Sequence, residues 1–186
     1  YNIKSSSTFL KFEYFVTLKF ADIKIKSSSS IAGNTKASKT DLIIKHNFKN
    51  KNKLLLKFKT NNYPSSYASR AFSSNYENYN WSNNFKNIRS KSINLKLELN
   101  NIFNLNFNFT GLENFVLFER ILSQSSDNTL AVGHRQLSDK INLISFELSR
   151  DFIFGDFTLD SKILLQKNLS NQGVNIPNFL SRNSIY

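Results

Sequence analysis

Cysteine and methionine are absent from the 186 residues, which include only five glycines, two prolines and two histidines. Each scarcity removes a class of explanation. Without cysteine there is no disulfide framework, no thiolate metal site and no cysteine nucleophile. So little glycine and proline argues against long flexible linkers. No run of about 18 apolar residues occurs, so no transmembrane helix is expected. There is no Gly-rich phosphate loop and no G-x-S-x-G nucleophile elbow. The 13 carboxylates are scattered, and no two invite an acid/base assignment. The chain is not read as an enzyme, and no cofactor is implied.

What is plentiful is lysine, asparagine, serine and phenylalanine. Lys and Arg number 25 against 13 Asp and Glu, for a net charge of +12. Such a balance ordinarily suggests nucleic acid as a partner. Richness in Lys, Asn, Ile, Phe and Ser also follows from an A+T-rich coding sequence, so no nucleic acid partner is expected. The 18 phenylalanines are more informative, because they sit mostly on alternating runs.

The clearest such run is 92–109. Ile93, Leu95, Leu97 and Leu99 fall on one side, with Asn94, Lys96 and Glu98 on the other. After Asn100-Asn101 the pattern resumes with Phe103, Leu105, Phe107 and Phe109 against Asn104, Asn106 and Asn108. A period of two places alternate side chains on opposite faces of a strand. An Asn-Asn pair tolerates the positive φ of a tight hairpin turn. The segment predicts a β-hairpin with one wholly apolar and one wholly polar face.

The same alternation organises the rest. Leu10, Phe12, Tyr14, Val16, Leu18 and Phe20 form one face of a strand that is expected to run on to Ile25, with its phase reversed at Ile23. Further strands are read around 42–48, 54–58, 144–148 and 157–165, which with the central hairpin makes seven. Residues 27–40, 61–84, 121–138 and 167–182 read as long polar loops, and 111–120 as an extension of the second central strand. Short turns are expected at 49–53, 100–101 and near Arg150-Asp151. Long and short connections therefore alternate, as in outer-membrane barrels with short periplasmic turns and longer outer loops. The predicted fold is all-β, an antiparallel transmembrane up-and-down β-barrel, with 1–186 forming part of one domain. About seven strands is an odd number, and the chain starts on Tyr1 rather than Met, so it is expected to be an incomplete piece of that barrel.

In that architecture Lys11, Glu13, Lys19, Lys45, Lys57, Lys59, Lys96, Glu98 and Glu147 point inward and are the candidate pore-lining residues. Their positive excess would bias a pore toward anions. The plainer alternative is a solvated sheet face with no transport role. Tyr63, Tyr67, Tyr76, Tyr79 and Trp81, in the 61–81 loop, are the candidate membrane-interface aromatics, at headgroup level. Stacking of bases or sugars beside Arg70 is the less favoured reading of that loop. His46 sits on an apolar strand face and His134 in a loop; neither has ligand partners at metal-binding spacing.

Three segments also carry a resemblance: NYPSSYASRAFSSNYENYNWSNNF, FELSRDFIFGDFTLDSKILLQK and IPNFLSRNSIY. They resemble the putative porin family of Bacteroidota outer-membrane proteins. Trp81, Asn83, Asn84 and Phe85 match its segment re-entering a strand; Pro177, Phe179, Arg182, Ser184 and Tyr186 match one that precedes another strand. The resemblance covers 40–186 and implies location in the bacterial outer membrane, with longer relatives that continue through more strands.

The function expected is passive diffusion of small solutes through a polar, lysine-lined lumen. Expected partners are outer-membrane lipid and other envelope proteins. Two rival readings are a non-conducting barrel serving as an accessory subunit of an envelope assembly, and a soluble basic β-protein associated with a ribosome. The second would bury the face of Ile93, Leu95, Leu97 and Leu99 beneath another sheet.

Overall fold

Each period-two run pairs with the next along the chain. The computed structural model describes residues 7–33, 36–48, 51–75, 80–100, 102–122, 130–170 and 174–186. In chain order the elements are β1 (Ser7–Thr17), β2 (Asp22–Gly33), β3 (Ser38–Asn47), β4 (Lys53–Tyr63), α1 (Tyr67–Arg70), β5 (Ala71–Phe72), β6 (Trp81–Ser82) and β7 (Ile88–Leu99). They continue with β8 (Phe103–Glu113), β9 (Val116–Leu122), β10 (Leu130–Gln136), β11 (Ile141–Phe154), β12 (Phe157–Asn168) and β13 (Phe179–Ile185). Nine strands form one antiparallel sheet in the order β1-β2-β3-β4-β7-β8-β11-β12-β13. Two further pairs, β9 with β10 and β5 with β6, stand apart from it. The fold is all-β and antiparallel, as expected. The sheet ends on β1 and β13, which are not paired with each other among the described residues.

Several boundaries differ from expectation, each for a physical reason. The strand expected over 10–25 is two strands. The chain reverses at 18–21, where the Leu18 N–H donates to the Ala21 carbonyl at 2.8 Å. The phase reversal at Ile23 is this turn, which has no glycine or proline to mark it. The serines read as a loop at 27–40 belong to β2 and β3, with the Ser27 and Thr40 hydroxyls 3.2 Å apart across the pair. Backbone ladder bonds do not depend on side-chain hydropathy, so a serine run extends a strand once its neighbour is in register. The turn expected near Arg150-Asp151 lies instead at Gly155-Asp156, and β11 continues to Phe154. Residues 111–120 do not prolong one strand: β8 stops at Glu113 and Asn114 has φ +58°, after which β9 pairs with β10. The loops expected at 121–138 and 167–182 hold β10 and β13. Splitting the first strand and adding β13 turns seven strands into nine.

Connection lengths sort by end with one exception, since the loop expected at 27–40 is reduced to a four-residue connection at 34–37. The turns 18–21, 48–52, 100–102 and 155–156 lie at one end of the sheet; 34–37, 64–87, 114–140 and 169–178 lie at the other. All strands of the sheet except the seven-residue β13 are 10 to 14 residues long. A tilted strand needs about 9–11 residues to cross a bilayer.

The sheet is a single layer. Among the described residues the buried apolar side chains are Ala21, Ile88, Leu137 and Ile141, located in a turn and where the β9–β10 hairpin meets the sheet. Among the described residues no second layer packs on either face.

At the β11–β12 turn Gly155 has φ +62° and open space around its Cα. Gly155→Ala should destabilise the folded protein by about 1–2 kcal/mol through left-handed strain alone, with Gly155→Asn milder; urea unfolding of both variants measures this.

Candidate pore-facing and lipid-facing surfaces

Residues paired across adjacent strands share a face. Following the register from Leu95 in both directions gives Val16, Ile23, Ile44, Leu56, Leu95, Phe107, Phe146, Leu165 and Phe179. Every strand of the sheet contributes an apolar residue to this row. The row beside it runs Tyr14, Ile25, Leu42, Phe58, Ile93, Phe109 and Ile144. On the other flank come His46, Leu54, Leu97, Leu105, Leu148 and Ile163. No protein layer covers them: Leu95 and Phe146 are each 39% exposed and Phe12 is 58% exposed. Monomeric soluble proteins rarely leave contiguous apolar patches beyond a few hundred Å² open, and here the patch spans the sheet.

The opposite face carries the charge. One row reads Glu13, Lys26, Asp41, Lys59, Ser92 and Thr110; the next reads Phe15, Lys24, Ile43, Lys57, Asn94, Asn108 and Ser145; a third reads Thr17, Asp22, Lys45, Leu55, Lys96, Asn106 and Glu147. Lys11, Glu13, Lys45, Lys57, Lys59, Lys96, Glu98 and Glu147 thus share one face across the sheet. Lys19 does not join them, because it lies in the 18–21 turn. Phe15, Ile43 and Leu55 interrupt the polar rows, so this face is mixed rather than uniformly wet.

Within it the charges are unequally matched. Glu13 pairs with Lys24, and with Lys26 at 3.6 Å. Asp41, whose side chain is 8% exposed, has Lys39 at 3.4 Å. Glu98 receives Lys96 at 2.7 Å and Lys53 at 3.6 Å, and Glu147 receives Lys162 at 2.9 Å. Lys11, Lys45, Lys57 and Lys59 have no ion-pair partner among the described residues. Lys57 is flanked by the uncharged Ile43 and Asn94. From β7 onward amides take over, with Asn94 Nδ2 donating to Asn106 Oδ1 at 2.6 Å. Lys24 and Lys26 were missed from sequence because their parity is visible only once the 18–21 turn is placed, and Lys39 because 27–40 was read as a loop rather than as strand.

The aromatic candidates separate. Trp81 stacks on Phe72 with centroids 4.8 Å apart, meets His134 at 5.1 Å, and its indole N–H donates to the Ala68 carbonyl at 2.8 Å. It thereby ties the 64–87 connection to the β9–β10 hairpin. Tyr67 lies in α1 beneath Arg70, 5.8 Å from its ring centroid, and Tyr63 ends β4, exposed. Tyr76 and Tyr79 lie outside the described residues. His134 stands on β10 rather than in a loop, with Phe118 at 4.9 Å. The His46 Nδ1–H donates to the Phe20 carbonyl, bracing the first turn. No group of three or more His, Cys, Asp or Glu suited to a metal occurs among the described residues.

An uncovered apolar face, a face rich in lysine and amide, and short turns at one end point one way, and the comparison with known proteins agrees. The family model described as "putative porin" matches residues 1–186. The chain belongs to the putative porin family. No curated protein and no solved structure matches it. Membership supports a porin-like, non-catalytic role.

On the β9–β10 hairpin, outside the nine-stranded sheet, Arg135 holds Glu119 through two bonds, the second from Nη2 to Oε2 at 3.1 Å. That hydrogen bond keeps the Glu119 carboxyl below its ordinary range. A lowered folded pKa contributes stability above the unfolded value and loses it as pH falls through the folded one. Amide exchange in β9 and β10 should therefore accelerate as pH drops below about 4, beyond the intrinsic trend, and Glu119→Gln should abolish that excess.

Proposed function

We propose that this chain forms part of an outer-membrane, porin-type β-barrel through which small solutes diffuse passively. The observation that carries the reading is the uncovered row from Val16 to Phe179, apolar on all nine strands. Placed against lipid, that face needs no protein cover. The lysine-bearing face, with Tyr63 at the end of β4 in phase with Lys57 and Lys59, then lines the lumen, and the long connections stand at the outer mouth with Tyr67 near headgroup level. The free edges of β1 and β13 require further strands to close the barrel, since hydrocarbon tolerates no unpaired backbone.

Transport asks only for a continuous wet path and a suitable field along it. The uncompensated Lys11, Lys45, Lys57 and Lys59 lower the energy of an anion entering and raise that of a cation. Those positions give the pore its selectivity, and Lys57 has no charged residue opposite it on either neighbouring strand.

The natural protein reconstituted in planar bilayers should give discrete conductance steps, with a reversal potential in a KCl gradient displaced toward chloride. Lys57→Glu should move that potential toward potassium with insertion unchanged. Insertion without any steps would favour a non-conducting, accessory barrel.

A further inference from the structure

At the long-loop end the lipid-facing side of the sheet stops being apolar. Past Ile93 the next outward positions on β7 are Lys91 and Arg89; past Phe109 on β8 they are Gly111 and Glu113. Lys140, just before β11, sits beside them, its Nζ 2.7 Å from Glu113. Arg89 and Lys91 are exposed and have no ion-pair partner among the described residues. Lys86, Asn87, Arg89, Glu113 and Asn114 line a cleft of about 480 Å³. Four cations, counting Lys86, Arg89, Lys91 and Lys140, thus face one carboxylate.

The cleft has a fixed frame. The Lys86 N–H donates to Gln136 Oε1 at 2.9 Å, and Gln136 Nε2 donates back to the Lys86 carbonyl at 2.7 Å and to that of Asn114 at 2.9 Å. Asn114 Nδ2 in turn donates to the Asn87 carbonyl at 3.0 Å. Gly111 leaves the outward row between Lys91 and Asn142 without a side chain, and a Cβ there would stand 3.3 Å from Asn142 Oδ1.

We propose that this cleft binds the phosphate headgroup of a membrane lipid whose acyl chains lie along Ile93, Phe109 and Ile144. The proposal rests on the outward face meeting lipid. Lys91 stands two residues past the last apolar row, about 7 Å along the strand and about 5 Å along the membrane normal for a strand tilted near 40°. That height is the headgroup layer. A guanidinium matches two phosphate oxygens at once, and lysines add point charge around it. A site for free phosphate would have no need of an apolar row directly beneath it, nor of a place on the outward side of the sheet.

The test uses the natural protein in detergent, with native mass spectrometry reading lipid retention. The probes are bisphosphorylated lipid A, its dephosphorylated form, and inorganic phosphate. Lipid A should be retained and its dephosphorylated form lost. Arg89→Gln with Lys91→Gln should weaken retention roughly 25-fold, about fivefold per charge removed. Lys19→Gln, in a turn at the opposite end, should leave it unchanged. Because both substitutions are exposed, a folded β-sheet signal by circular dichroism is expected in each variant. Equal retention of the dephosphorylated lipid, or equal retention by the double variant, would overturn the proposal. So would binding of inorganic phosphate at millimolar concentration without retention of lipid A, which would mean a free-anion site. Failure of the protein to partition into detergent at all would overturn the membrane reading, and this proposal with it.

Discussion

A strand placed in hydrocarbon must have every backbone N–H and C=O paired, because no water is present to take their place. The nine-stranded ladder satisfies this along its interior, with each strand bonded on both sides from β2 through β12. The same requirement fixes the side-chain pattern. Once strands are in register, a slip of one residue would swap the two faces, so row after row must agree on which side is apolar. The row from Val16 to Phe179 is that agreement. In a water-soluble sheet of this kind a second layer would have to cover Leu95 and Phe146, and none does among the described residues.

Polarity on the other side is graded. On β1 to β4 lysines outnumber carboxylates, while β8 presents Asn104, Asn106 and Asn108. Amides hydrate a surface without a net field, whereas uncompensated ammonium groups create one. Carboxylates hold several lysines in cross-strand and same-strand pairs, so the field arises from the few that are left. Exposed pairs of this kind contribute little to stability, about 0–1 kcal/mol each. Their consequence is to localise charge rather than to hold the sheet together.

The central hairpin was legible because its parity is unbroken and its turn is marked by Asn-Asn. The polar-face lysines followed from the same parity, which is why eight of the nine candidates share a face. Lys19 failed because nothing in Leu18-Lys19-Phe20-Ala21 announces a turn. The serines of β2 carry no hydropathic contrast, so their pairing with β3 is a property of the neighbours rather than of the segment. The β9–β10 hairpin left the sheet at Asn114, whose positive φ is a conformation that asparagine permits but does not dictate. The joining of Trp81 to His134 depends on two connections far apart in sequence, a tertiary relation that no local pattern encodes.

The absence of cysteine makes the central claim directly measurable. Single Cys substitutions at each position from Ile93 to Leu99, labelled with an environment-sensitive fluorophore, can be reconstituted in bilayers containing brominated lipid. Strong quenching at 93, 95, 97 and 99 with weak quenching at 94, 96 and 98 is the result this account predicts. Quenching that is uniform, absent or reversed in phase would contradict it, because the apolar face would then not be meeting the hydrocarbon.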